Sequence, residues 1–128
     1  MMLKNYKDLN VWQKAYQLCL KIYKATKGYP KDEVYGLTSQ MRRYSVSIPC
    51  NIAEGYGRKS RPEYIQFLYI AYGSTCELAT QIMLSEDLGY IKGEGTKLIH
   101  DHIEEVERML MALIKSLVKP NKGAIALK

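Results

Sequence analysis

The sequence predicts an all-α fold, an up-down-up-down antiparallel four-helix bundle, on three observations. Four stretches repeat apolar residues at spacings of three and four, the mark of a helix with one buried face, and no stretch keeps up the alternation of a strand. The connections between them are only about 5 to 9 residues long, which favours consecutive helices packing side by side and antiparallel. The chain has 128 residues, 47% hydrophobic and 25% charged, which suits one globular domain and argues against disorder or collagen-like repetition. The expected domain is the whole chain, 1–128, with helices at about 9–27, 33–54, 61–87 and 96–118 and a loosely held tail at 119–128.

The first helix opens with Asp8 as its expected N-cap and closes at Gly28 and Pro30. Trp12, Ala15, Tyr16, Cys19, Ile22 and Tyr23 share its apolar arc, while Lys7, Lys14, Lys21 and Lys24 form a separate cationic stripe. The second helix is expected to start at Asp32 or Glu33 and carries Leu37, Met41, Tyr44, Ser45, Ile48 and Ile52 at helical spacing. Pro49 falls inside it, lacks a donor for the Ser45 carbonyl and crowds it, which predicts a kink or short break.

The third helix starts at Ser60, with Pro62 in its first turn and Glu63 placed for a capping box, and stops at Gly89. Its apolar residues exceed one core face. Beyond the arc of Tyr64, Phe67, Leu68, Ala71, Thr75, Leu78 and Ile82, a further arc of roughly 100° holds Ile65, Tyr69, Tyr72, Cys76 and Met83. A second copy of the chain is the most economical cover for that arc, so these five are the expected oligomer interface; the alternative is that they tolerate solvent. The fourth helix buries a stripe from Leu98, Ile99, His102 and Ile103 through Val106, Met109 and Leu110 to Leu113, Ile114 and Leu117.

Four segments resemble the four-helix-bundle proteins encoded in 23S rRNA intervening sequences: DLNVWQKA (8–15), residues 30–37, QMRRYSVSIPCNIAEG (40–55) and EYIQFLYIAYGSTCELATQI (63–82). The motif residues are Ser47, Ile48, Pro49, Asn51, Ile52, Ala53, Glu54 and Gly55, followed by Gly73, Ser74 and Glu77. The resemblance implies a bundle that assembles into a ring, most simply a homopentamer. It also implies a likeness to the accessory proteins of diversity-generating retroelements, basic nucleic-acid-binding partners of a reverse transcriptase.

Charge is unevenly spread. Residues 1–62 hold twelve Lys and Arg against four Asp and Glu, a net +8, whereas residues 63–128 hold seven against nine. Such asymmetry suits an anionic partner, RNA or DNA, or complementary faces that meet within or between subunits. Arg58, Lys59 and Arg61 form the compact basic site, with Tyr56 beside it and Gly55 and Gly57 allowing close backbone approach; the competing reading is a solvated loop. Lys7, Lys14, Lys21 and Lys24 are the second phosphate-contacting candidate, in competition with pairing to Asp101, Glu104, Glu105 and Glu107 of the fourth helix. Asn51 and Glu54 share a helix face, where Asn51 can satisfy backbone freed by Pro49 and Glu54 can meet an Arg. Gly73 and Ser74 suggest close helix contact.

Catalytic and cofactor chemistry find no foothold in the sequence. There is no phosphate-cradling loop, HExxH or nucleophile elbow, and His100 and His102 lie about 200° apart on a helix, too far round to share a metal. Cys19, Cys50 and Cys76 fit no disulfide or metal spacing and read as small buried hydrophobes. No apolar run reaches the roughly 20 residues of a membrane span, and the N-terminus lacks a signal-peptide core. The expectation is a cytoplasmic, non-enzymatic, basic bundle without cofactor or metal, binding itself and nucleic acid; the alternative is a scaffold whose charge asymmetry serves ring assembly only.

Overall fold

In the computed structural model, which describes residues 5–118, the chain is all-helical. It contains α1 (Asn10–Thr26), α2 (Leu37–Tyr56), α3 (Arg61–Asp87) and α4 (Glu94–Val118), with single 3-10 turns at Tyr6–Asp8 and Lys31–Glu33. The expected tail at 119–128 lies outside the described residues. Among the described residues each helix packs on two others, α1 on α2, α2 on α3, α3 on α4 and α4 on α1. Contacts across the three consecutive pairs run in opposite chain directions: Thr26 and Cys19 of α1 meet Arg42 and Ser45, Met41 and Ser47 of α2 meet Ser85 and Ser74, and Thr75 and Glu86 of α3 meet Glu107 and His100. No described helix is long and apolar enough to cross a membrane.

The centre is aliphatic. Leu18, Ile22, Met41, Ile48, Ile52, Leu68, Leu78, Ile82, Ile103, Leu110 and Ile114 are fully buried, and each such side chain contributes roughly 1.5–3 kcal/mol of transfer free energy. Several positions expected in the core or buried are not there. Tyr16, Tyr23 and Leu98 stand at the margins of their helices' buried arcs and are 46%, 39% and 51% exposed. Cys50 and Cys76 are exposed and Cys19 half-buried, so only Cys19 approaches the small-hydrophobe role expected of all three.

Helix ends show where local signals suffice. Ser60 caps α3, accepting the Glu63 N–H at 3.3 Å, while its own hydroxyl donates to Glu63 Oε1. Gly89, at φ +79°, closes α3 in a Schellman arrangement: the Tyr90 N–H bonds to the Ser85 carbonyl and the Gly89 N–H to that of Glu86. Asp8 is not the cap of α1; it closes a capping box with Asn5 around the preceding 3-10 turn. The start of α2 also differs from expectation. Residues 31–33 form a separate turn, and Glu33 reaches forward to accept the Leu37 N–H at 2.9 Å. Gly36 makes room for this, since a Cβ there would sit 2.6 Å from Glu33 Oε1. The other Glu33 oxygen accepts from the Tyr90 hydroxyl at 2.8 Å, tying the two connections at this end together. These two bonds hold the Glu33 carboxyl below the ordinary range.

Of the kink or short break expected at Pro49, the break does not occur. Helix α2 is continuous from Leu37 to Tyr56 with Pro49 buried inside it. The α4 helix begins two residues earlier than expected, after Gly93 at φ +82°.

Candidate nucleic-acid interface

The basic loop is short and anchored at both ends. Its first residues fold back on α2 through Gly57 N–H to the Ala53 carbonyl and Arg58 N–H to the Gly55 carbonyl, and its last is the Ser60 cap. Arg58 is already engaged: its guanidinium lies 3.5 Å from Glu54 and 4.9 Å from the centre of the Phe67 ring. Lys59 and Arg61 are exposed and form no ion pair among the described residues. The three residues expected to act alike therefore divide into one cation fixed against the protein and two free to meet phosphate.

The α1 lysines divide as well. Lys14 pairs with Glu105 of α4 at 3.4 Å, so this member of the stripe takes the intramolecular alternative, though both side chains remain about half exposed. Beside it, the His102 Nε2–H donates to the Lys14 carbonyl at 2.9 Å. Burial, aided by Lys21 and Lys14, holds His102 below its ordinary pKa and so keeps the ring neutral. Lys7 lies 6.0 Å from the Tyr6 ring, and Lys21 and Lys24 are exposed.

The motif around Pro49 is tied into the fold by side-chain hydrogen bonds. The Asn51 side-chain amide donates to the carbonyl and hydroxyl of Ser47, at 2.8 and 2.9 Å, rather than to the Ser45 carbonyl that Pro49 leaves without its usual donor. Ser47 in turn meets Ser74 of α3 at 2.8 Å, so the two motif segments join through one polar chain across the α2–α3 seam. Gly55 sits where that seam is tightest: a Cβ would lie 2.8 Å from Phe67 Cβ and 3.1 Å from Tyr64 Cδ1. Burial pushes the Tyr64 hydroxyl up to about 12, with Tyr56 adding to the effect. Gly73 does not have the expected close contact; it is exposed, and a Cβ there would meet nothing within 4 Å.

With this seam described, the chain matches the family model of the 23S rRNA-intervening sequence protein over residues 7–112. It belongs to that family. Among solved structures it is similar to a protein of unknown function from the S23 ribosomal protein family of Bacteroides thetaiotaomicron, at 26% identity and a TM-score of 0.74. That match covers 82% of this chain and 98% of the other. No curated protein matches.

This member of the 23S rRNA-intervening sequence protein family exposes two apolar surfaces. On α3, Tyr69, Cys76 and Met83 are exposed, Tyr69 and Met83 about half. Ile65 and Tyr72, expected beside them, pack instead against the margin of their own core. The second surface was not anticipated. It lies along α1 and α2, where Trp12 stacks on Tyr16 at 5.1 Å and Arg42 covers Tyr23 at 4.8 Å. Arg42 also donates to the Thr26 hydroxyl and the Tyr23 carbonyl, closing the end of α1. The tyrosine spacing of seven residues was visible in the sequence, but it reads equally as core.

Proposed function

We propose that this chain is a non-enzymatic, self-associating basic bundle that binds RNA or DNA with little sequence preference. Its simplest assembly is a homopentamer, acting in the cytoplasm as an accessory to a nucleic-acid enzyme such as a reverse transcriptase. The observation that carries the reading is the near absence of acid from one side of the bundle. Helices α1 and α2 hold Lys14, Lys21, Lys24, Arg42 and Arg43 against a single carboxylate, Glu54, which already pairs with Arg58. Lys59 and Arg61 extend that field past the end of α2. A surface of this kind holds phosphates through counterion release, so its affinity falls steeply with salt. Titrating structured RNA and duplex DNA at several salt concentrations tests it. Binding that weakens steeply supports the reading; no binding at low salt, or a flat response, leaves the second one.

The second reading is a protein-interaction scaffold whose charge serves assembly only. It is favoured by the Lys14–Glu105 pair, which shows a base of the N-terminal half meeting an acid of the C-terminal half.

A further inference from the structure

We infer that the groove between α1 and α2 is a stacking platform for unpaired bases, so that single-stranded RNA or DNA is the preferred nucleic acid; this rests on the nucleic-acid reading above. One wall is aromatic. Tyr6 meets Trp12 edge-on at 5.3 Å, and Trp12 lies nearly parallel to Tyr16 at 5.1 Å, leaving Tyr16 46% exposed. Val46, Pro49 and Cys50 of α2 form the other wall of a cleft of about 310 Å³. That is the small end of the size range of ligand clefts. Two turns along α1 from Tyr16, the ring of Tyr23 carries the Arg42 guanidinium.

The charge around the groove selects its occupant. Lys7 flanks Tyr6 at one end, while Arg42 stands over Tyr23 at the other. The carboxylates nearby are committed: Glu54 pairs with Arg58, and Asp8 accepts the Asn5 N–H. An apolar, aromatic floor between cations suits a polyanion that also offers flat apolar faces. A duplex shows its phosphates but keeps base faces inside the stack, whereas an unpaired strand presents both. Stacking on tyrosine and tryptophan is also sequence-tolerant, because every base has a π face. Ala53 lines the groove near the end of α2, and the free cations Lys59 and Arg61 follow in the loop just beyond that helix, so a strand leaving the cleft at this end runs onto the basic loop.

Trp12 is the one tryptophan of the chain, so its emission reports on the groove. The intact protein is titrated at low salt with oligo-dT and with a hairpin duplex of equal length, each labelled for anisotropy. The expected result is tighter binding of oligo-dT together with quenching of Trp12. Tyr16→Ala weakens oligo-dT about tenfold and leaves the hairpin unchanged; Tyr16→Phe, which keeps the ring, binds as the parent does. Oligo-dT binding with unchanged Trp12 emission and an indifferent Tyr16→Ala variant overturns the groove assignment and leaves the nucleic-acid reading standing. Absence of binding by either probe overturns both. Trp12 emission that shifts on dilution of the protein alone means a second copy covers the groove, which also overturns the assignment.

Discussion

Gly55 and Gly73 belong to the same pair of motif segments, and their surroundings give them opposite tolerance. Gly55→Ala drives a methyl against Phe67 Cβ at 2.8 Å and the Tyr64 carbonyl at 3.2 Å, backbone and near-backbone atoms that cannot swing away. The expected cost is about 1–3 kcal/mol, read as a lower midpoint in denaturant. Gly73→Ala meets nothing, so it is expected to gain up to about 1 kcal/mol of helix propensity in the same measurement. If the two variants behave alike, the tight α2–α3 approach at Gly55 is wrong. The sequence marks Gly73 as an unusual mid-helix residue and places Gly55 just past the end of its helix; which one faces a neighbour depends on contacts between segments far apart in the chain. His102 carries a pH dependence of defined sign. Burial depresses its pKa in the fold below the ordinary value of 6.5, so the unfolded chain binds the proton more readily. Stability is therefore complete above about pH 6.5 and declines as pH falls through the depressed folded value. Thermal unfolding across that range is expected to show the decline, and His102→Gln to flatten it; an equal decline in the variant would assign it to other groups.

Among the elements, the ends that the sequence marks are those whose partners are local. Ser60 and Gly89 act within four residues of themselves, and both stand where expected. The start of α2 was not legible because Glu33 serves two masters, the Leu37 N–H four residues on and the Tyr90 hydroxyl 57 residues away. Pro49 is buried inside a continuous α2, and a helical pattern alone does not reveal whether packing offsets a proline's missing hydrogen bond. Helix α3 shows what periodicity can and cannot do. Of the five residues on its wide apolar girth, Tyr69, Cys76 and Met83 are exposed, while Ile65 and Tyr72 pack at the margin of their own core. A charge buried without a partner at an interface costs several kcal/mol. Tyr69→Glu or Met83→Glu is thus expected to dissociate the proposed oligomer, as read by light scattering, without unfolding the monomer. Variants that stay fully assembled would move the interface off α3.

At the scale of the whole molecule, the all-helical architecture followed from four periodic segments and short connections, and the charge asymmetry from a count of residues. The site was only partly legible. Arg58, Lys59 and Arg61 are contiguous in sequence and read as one cluster, but the ion pair to Glu54 and the Phe67 ring remove Arg58 from it. Lys14 was similarly taken up by Glu105. The α1–α2 groove escaped notice because Trp12, Tyr16 and Tyr23 fit a core arc, and only the packed bundle shows which edge of that arc stays outside. Within the loop cluster Lys59 and Arg61 stay free of ion pairs, and they test whether the acid-poor side of the bundle serves nucleic acid or assembly. The most direct measurement is the slope of log affinity against log salt for RNA, compared between the parent chain and a Lys59→Gln, Arg61→Gln variant of unchanged assembly by light scattering. Loss of about one unit of slope per cation, close to two in all, is the expected result. An unchanged slope, or an assembly that fails when only these two charges are removed, would contradict a phosphate-binding role and give the basic residues to the contact between copies.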